Sequence, residues 1–335
     1  MKKISLLSIF CLAISGIYAQ QTSMFTKYMF NQLSFNPAYA GSADALDVVL
    51  LHRHQWVNMG QNAPMTQNFT LHSPIQAKNI GLGLNVTYDR IPTQQTFSFF
   101  PSFSYRIKFG DPEKKGGYIS LGLQGGVSNF RANYTALDLD NPNDPAFQNQ
   151  QPNLWLPNFG TGIYVQSKTW FAGLSSPMLV TNALRKRTAV DLDNTAIAQQ
   201  FRHYYLTGGV AFKLTEDITF RPTILIKNIG LFVERNVANI RRGAPNTFDI
   251  DAAFLFKKRF WVGVAFRSAF ELRSSSYDSV DFWASIRLNN GLRIGAAYDY
   301  TLSRLGATNQ GTYEIMLGYD LLRLDISKVV HVRYF

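Results

Sequence analysis

The sequence predicts an all-β fold: a transmembrane outer-membrane β-barrel of about 14 antiparallel strands, with an N-terminal segment packed in or under the barrel. Three observations predict it. Apolar and polar residues alternate strictly over stretches of roughly ten residues, the period of a strand with one greasy and one wet face. The connections between these stretches alternate between tiny turns and long loops. No run beyond the first twenty residues reaches the ~18–20 apolar residues that a spanning helix needs.

The alternation is read directly from the residues. In GLGLNVTYD at 81–89, Leu82, Leu84, Val86 and Tyr88 oppose Gly81, Gly83, Asn85 and Thr87. In TFSFFPSFSYRIKF at 96–109, six aromatic or aliphatic residues and Pro101 oppose Ser98, Ser102, Ser104, Arg106 and Lys108. FDIDAAFLF at 248–256 and the stretches 292–300 and 313–320 repeat the pattern. Fourteen such segments are expected: 45–56, 64–73, 80–90, 96–109, 117–131, 156–167, 169–175, 202–214, 218–228, 248–257, 260–267, 279–288, 292–300 and 312–320. Tiny turns follow the sixth, eighth, tenth and twelfth, and long connections follow the fifth, seventh, ninth, eleventh and thirteenth. Short periplasmic turns and longer external loops are the rule for such barrels. Pro101 and Pro222 fall inside strands, where each is expected to mark a bulge or an early end. Tyr88, Tyr105, Tyr118, Trp155, Trp170, Trp261, Tyr298 and Tyr319 lie near strand ends and are expected to form interfacial girdles.

The first residues, MKKISLLSIFCLAISGIYAQ, have a basic start, an apolar centre and small residues up to Ala19. That is a secretory signal peptide, 1–19. The expected organisation is then an N-terminal periplasmic or plug segment at 20–43, the barrel at 44–320 and a tail at 321–335. The only cysteine, Cys11, lies in the signal peptide, so no disulfide framework is expected. Composition agrees with an exported barrel. Hydrophobic residues make up 46%, aromatics 14% and charged residues only 16%, while mean hydropathy is −0.09. Net charge is +11, and falls to +9 when Lys2 and Lys3 leave. Basic residues are scattered in twos and threes, as in LysLysArg at 257–259, so acidic lipid headgroups or an acidic partner fit the sign and nucleic acid does not.

The residues expected to line the lumen are polar and of both signs, with Arg106, Arg221, Asp249, Asp251, Arg293, Asp299 and Glu314 foremost. Such a lumen holds water or is bridged by a plug. The uncharged stretch NQLSFNPAYAGS at 31–42 is the plug candidate. Phe35 and Tyr39 are its anchoring rings, and Asn36–Pro37 and Gly41 break the chain where a strand would begin. No catalytic or cofactor site is expected. His52 and His54 share a strand face, but no cysteine or nearby acid completes a metal set. Ser73 beside His72 lacks a Gly-x-Ser-x-Gly elbow, and adjacent strand residues face opposite ways. The acidic, Pro-rich run around 140–145 lacks the spacing of a calcium loop and reads as an external loop.

Five motifs in order carry a resemblance: Tyr28–Asn31 (YMFN), Asn36–Ser42 (NPAYAGS), His54–Trp56 (HQW), Ala63–Gln67 (APMTQ) and His72–Pro74 (HSP). In order and spacing this block resembles the PorP/SprF family of outer-membrane proteins of the type IX secretion system of Bacteroidota. Gln32 departs from the pattern, where many relatives are expected to carry Pro. The resemblance implies a non-enzymatic outer-membrane barrel that supports secretion or surface anchoring of cargo with C-terminal sorting domains, such as gliding adhesins. It implies partners among the periplasmic ring and lipoprotein components of that system, besides outer-membrane lipids. The motif residues Tyr28, Phe30, Asn31, Phe35, Asn36, Pro37, Tyr39, Gly41, Gln55, Trp56, His72 and Pro74 become candidates for plugging or partner binding. A general porin or nutrient-uptake channel is the alternative.

Overall fold

A computed structural model describes residues 25–43, 45–60, 63–75, 79–111, 116–133, 151–184, 199–229, 236–237, 240–241, 246–270, 276–303, 306 and 309–321. The expected signal peptide, the run at 140–145 and the tail beyond Leu321 lie outside them.

Fourteen strands close into one antiparallel ring. They are β1 Asp47–His54, β2 Met65–Ile75, β3 Ile80–Ile91, β4 Gln94–Phe109, β5 Gly117–Ala132, β6 Asn153–Ser167, β7 Trp170–Met178, β8 His203–Val210, β9 Ile218–Ile229, β10 Asn246–Phe256, β11 Phe260–Phe270, β12 Ser276–Arg287, β13 Leu292–Thr301 and β14 Thr312–Asp320. Each pairs with its neighbours in sequence, and β1 with β14 closes the ring from Asp47↔Asp320 to His54↔Tyr313. Closure has a physical cause: lipid offers no hydrogen bonds, so a spanning sheet can leave no edge unpaired. Short extra ladders flank the ring at 182–183 with 199–200 and at 236–237 with 240–241.

The period of two sorts the side chains as expected. Leu82, Phe97, Phe103, Leu123, Phe159, Leu174, Ile250 and Ile315 stand on the outside, with Leu123 and Phe159 both 62% exposed. Ser104, Gln124, Arg221, Asp249, Asp251, Asp281, Asp299 and Glu314 point inward and are buried. One end carries the short turns, such as 257–259, where Lys257 and Lys258 adopt left-handed backbone. At this turn end Lys213 holds Glu216 at 2.8 Å, and that bond and charge keep the Glu216 carboxyl below its ordinary range. The opposite, loop end carries most of the longer connections, though β3 and β4 are joined there by only Pro92–Thr93 and β11 and β12 by the five residues 271–275.

Two expectations are corrected. Pro101 and Pro222 cause neither bulge nor early end. Each strand runs through its proline with constant register, and the ladder simply lapses beside it. Pairing of β4 with β5 skips from Phe99↔Val127 to Ser102↔Gln124. Pairing of β8 with β9 runs to Gly209↔Thr223 and resumes in the same register in the short strand Phe212–Lys213, at Phe212↔Phe220. The missing donor therefore costs a local pair and not the strand. The girdle is also incomplete: Trp155 and Trp170 face outward, but Trp261 is buried in the lumen and Tyr118 sits beneath the Arg106 guanidinium at 4.4 Å. Strand parity accounts for both: Trp261 shares the inward face of Ala265 and Arg267, and Tyr118 that of Ser120 and Gln124.

Candidate functional site

The lumen is occupied by the chain's own residues 25–43. They are neither strand nor α-helix but three short 3-10 turns, Tyr28–Phe30, Gln32–Ser34 and Pro37–Tyr39. Asn36 and Pro37 start the third. The Asn36 side chain accepts the Ala38 N–H at 3.0 Å, and Pro37 supplies a preset φ at the first helical position. Gly41, at φ +68°, turns the chain toward β1. From Phe25 to Ser42 the segment descends from the loop end to the turn end.

Charges hold its upper part. The Glu314 carboxylate accepts the backbone N–H of Thr26 and of Lys27, each at 2.9 Å. Thr26 donates its hydroxyl to Asp299 at 2.7 Å and accepts from Arg53 at 2.7 Å. Arg53 in turn pairs with Asp299 at 2.7 Å and Glu314 at 3.3 Å. Arg267 forks onto Asp249 at 2.9 and 3.1 Å and reaches the Phe25 carbonyl at 3.4 Å. All five charged residues are buried, so each depends on its partners: removing one partner of a buried pair leaves an uncompensated charge.

Aromatic rings hold the middle. Phe30 packs edge-on against Trp283 (5.4 Å between centroids) and Trp261 (6.4 Å). The buried Arg221 guanidinium lies over Trp261 at 4.1 Å and Phe30 at 5.3 Å. A desolvated cation on a ring face contributes about 2 kcal/mol. Trp283 donates to Asp251 at 2.5 Å. The Tyr28 hydroxyl meets Thr223 at 2.8 Å, and the Phe35 ring lies 5.3 Å from Tyr205. Across the lumen, Asn31 donates to Asn68 at 2.7 Å and accepts from Thr70 at 3.1 Å, joining an amide chain that runs through Asn68 to Asn85.

Small residues hold the lower part. Wall glycines leave room where the segment's backbone touches the sheet. A methyl at Gly81 would run into the Ala40 carbonyl, one at Gly122 into the Ala38 amide, and one at Gly162 into the Asn36 side chain. Ser104 donates to the Ala40 carbonyl at 2.6 Å and Arg106 to the Gly41 carbonyl at 2.5 Å. Ser175 donates to the Phe35 carbonyl at 2.7 Å, and the Asn36 amide to the Ile163 carbonyl at 3.2 Å. Tyr39 stands edge-on to His72 at 5.1 Å and Tyr164 at 5.3 Å.

The motif residues thus divide. Tyr28, Phe30, Asn31, Phe35, Asn36, Pro37, Tyr39 and Gly41 all lie on the lumen segment. His72 faces them from β2, and Pro74 lies beside Gly41 at the turn end. Gln55 and Trp56 are placed apart, in the loop after β1, where the Gln55 amide donates to the Pro64 carbonyl and the Trp56 amide to the Thr312 hydroxyl. Arg293 is also apart: it pairs with Asp47 at 2.7 Å at the turn end, next to the Arg287–Asp320 pair. Sequence reasoning missed Arg53, Arg267 and the wall glycines. Inward glycines alternating with outward leucines at 81–84 were the available signal. Among the described residues, no three His, Cys, Asp or Glu side chains gather in a metal-holding arrangement.

On the lumen segment itself, one side chain is uncompensated among the described residues. Gln32 is fully buried, and its amide has no hydrogen-bond partner among the described residues. A buried orphan amide costs about 1–3 kcal/mol. Gln32→Leu, close in volume, is expected to stabilise the seated segment by about 1 kcal/mol, read as slower proteolysis of the N-terminal region in the folded barrel.

Closed ring, outward apolar belt and polar occupied lumen define the class: an outer-membrane β-barrel. Residues 17–319 match the family described as type IX secretion system membrane protein PorP/SprF, and the chain belongs to that family. Comparison with solved structures gives matches at low identity. The toluene transporter TbuX of Ralstonia pickettii is 11% identical, with a TM-score of 0.46 over 92% of this chain and 98% of that one. The KdgM porin is 10% identical, with a TM-score of 0.35 over 82% and 98%. OmpF of Salmonella typhi, in complex with daunomycin, is 10% identical, with a TM-score of 0.34 over 82% and 96%. Among curated proteins, none matches the sequence.

Proposed function

We propose that this secretion-system barrel is a non-enzymatic anchor for exported proteins and not a conduit for solutes. Its cargo carries a C-terminal sorting domain, gliding adhesins being one class, and it docks with periplasmic ring and lipoprotein components. The observation that carries this reading is the occupied lumen: charges, rings and small residues on all sides of the wall are engaged by residues 25–43. A barrel built for diffusion would present those groups to water. The loops and the two rims are then what partners meet.

Two measurements test it. Native complexes taken up in gentle detergent are expected to contain a secretion-machinery lipoprotein or a cargo C-terminal domain, and recovery of a bare monomer counts against the anchor. In a planar bilayer the purified barrel is expected to be electrically silent. A large, steady open conductance would favour the porin or uptake-channel reading instead.

A further inference from the structure

The lipid-facing side of the barrel is not uniform at the loop end. One row of outward-facing residues crosses neighbouring strands at the loop end: Met65 on β2, Arg90 on β3, Gln95 on β4, Arg131 on β5 and Asn153 on β6. The register fixes it, through Met65↔Arg90, Arg90↔Gln95, Gln95↔Arg131 and Arg131↔Asn153. On the far side of the ring, outward positions near the same end carry Tyr277, Tyr300 and Tyr313.

The height of the row is set by the apolar belt below it. On β4 the belt runs outward from Phe97 to Phe109. That is about 40 Å along a strand and, at a tilt near 45°, about 28 Å across the membrane. The hydrocarbon core is about that thick, so Gln95, one outward position beyond Phe97, lies at the headgroups, with Arg90 and Arg131 displaced from it by only about 3 Å in depth by the strand tilt. Trp155, 63% exposed on β6 and one outward position below Asn153, marks the same boundary.

The two arginines are built for an anion. Strands β3 and β5 are two apart, so their backbones are about 9.5 Å from each other, close enough for both guanidinium groups to converge over Gln95. Arg131 is oriented: its Nε donates to Asn129 at 2.7 Å, and the Asn129 amide donates in turn to Asn153 at 2.7 Å. Its two terminal nitrogens have no hydrogen-bond partner among the described residues. No carboxylate among the described residues pairs with Arg90 or Arg131. Asp89, adjacent to Arg90, points inward and accepts from Thr66. A planar fork with free N–H groups at headgroup depth matches a phosphate.

We propose that Arg90 and Arg131, spaced by Gln95 on the loop-end rim, form a binding site for the phosphorylated headgroup of an outer-leaflet lipid. The site holds the β2–β6 side of the wall against that lipid and is independent of the lumen.

The test uses the full chain in phosphatidylcholine nanodiscs, with bisphosphorylated lipid A or its dephosphorylated form as probe, and counts retained lipid by native mass spectrometry. The wild-type barrel is expected to retain the phosphorylated form about tenfold better, and Arg90→Gln/Arg131→Gln is expected to abolish that preference. Both side chains are on the surface, and heat-modifiable mobility on a gel reports that the variant barrel is folded. Arg90→Lys/Arg131→Lys, which keeps charge without the fork, is expected to retain an intermediate amount. Equal retention by wild type and the Gln variant would overturn the site. So would displacement of lipid A by millimolar inorganic phosphate, which would mark a site for free anion.

Discussion

Gly122→Val, alone or with Gly81→Val, is expected to unseat the N-terminal segment and turn a silent barrel into a conducting one. The segment's backbone lies directly against the glycine Cα atoms, where the sheet has no freedom to retreat because both strands are paired on either side. A side chain at Gly122 strikes the Ala38 amide and the Pro37 carbonyl carbon, which are main-chain atoms and cannot rotate away. Overpacking of this kind costs about 1–3 kcal/mol even where side chains can adjust, and more where backbone must move. Displacing residues 36–41 is the available relief, opposed by their hydrogen bonds to Ser104, Arg106 and Ile163 and by the Tyr39 ring contacts with His72 and Tyr164. Single-channel recordings in planar bilayers check the opening, and new protease cleavage within 25–43 checks its cause. Folded variants that remain silent and protected would show that the wall gives way instead.

Glu314→Ala is expected to be the most damaging single substitution in the lumen. It frees the two N–H groups of Thr26 and Lys27 and strips Arg53 of one of its two carboxylates. Loss of one member of a buried charge pair costs about 3–5 kcal/mol. The unfolding temperature of the purified barrel, followed by heat-modifiable mobility, is expected to fall clearly. Glu314→Gln keeps one acceptor oxygen and the shape, so it is expected to fall between wild type and Ala. If the Ala variant melts with the wild type, the buried network is not what fastens the upper segment.

The strands were legible in the sequence because their information is local. A period of two, repeated fourteen times, needs no knowledge of partners, and even the prolines at 101 and 222 did not disturb it. The lumen contents were legible only in kind. An uncharged, ring-bearing segment ahead of the first strand pointed to packing against a polar wall, but its contacts depend on register across the whole ring. Arg53 shows why. It shares a face with Val49 and Leu51, so the alternation gave no hint that it points at charges, and its partners Asp299 and Glu314 meet it only because β14 pairs with β1. Trp261 and Trp170 are each the second or first residue of a strand at the turn end, yet one faces lipid and the other Arg221. The glycines at 81, 122 and 162 were visible, but a glycine in a strand signals only that something approaches closely, not what approaches.

The Glu314 clamp joins residues 288 positions apart, the N-terminal lumen segment to the last strand of the ring. Among the described residues this is a contact of very long sequence separation, and its closure entropy is correspondingly large. Once β14 has paired with β1, no sheet edge remains open to admit the segment from the side, and the ends of the barrel are its remaining ways in. Through Thr26, which meets Glu314 on β14 and Arg53 on β1, the residues that fill the lumen also span the seam at which the ring closes.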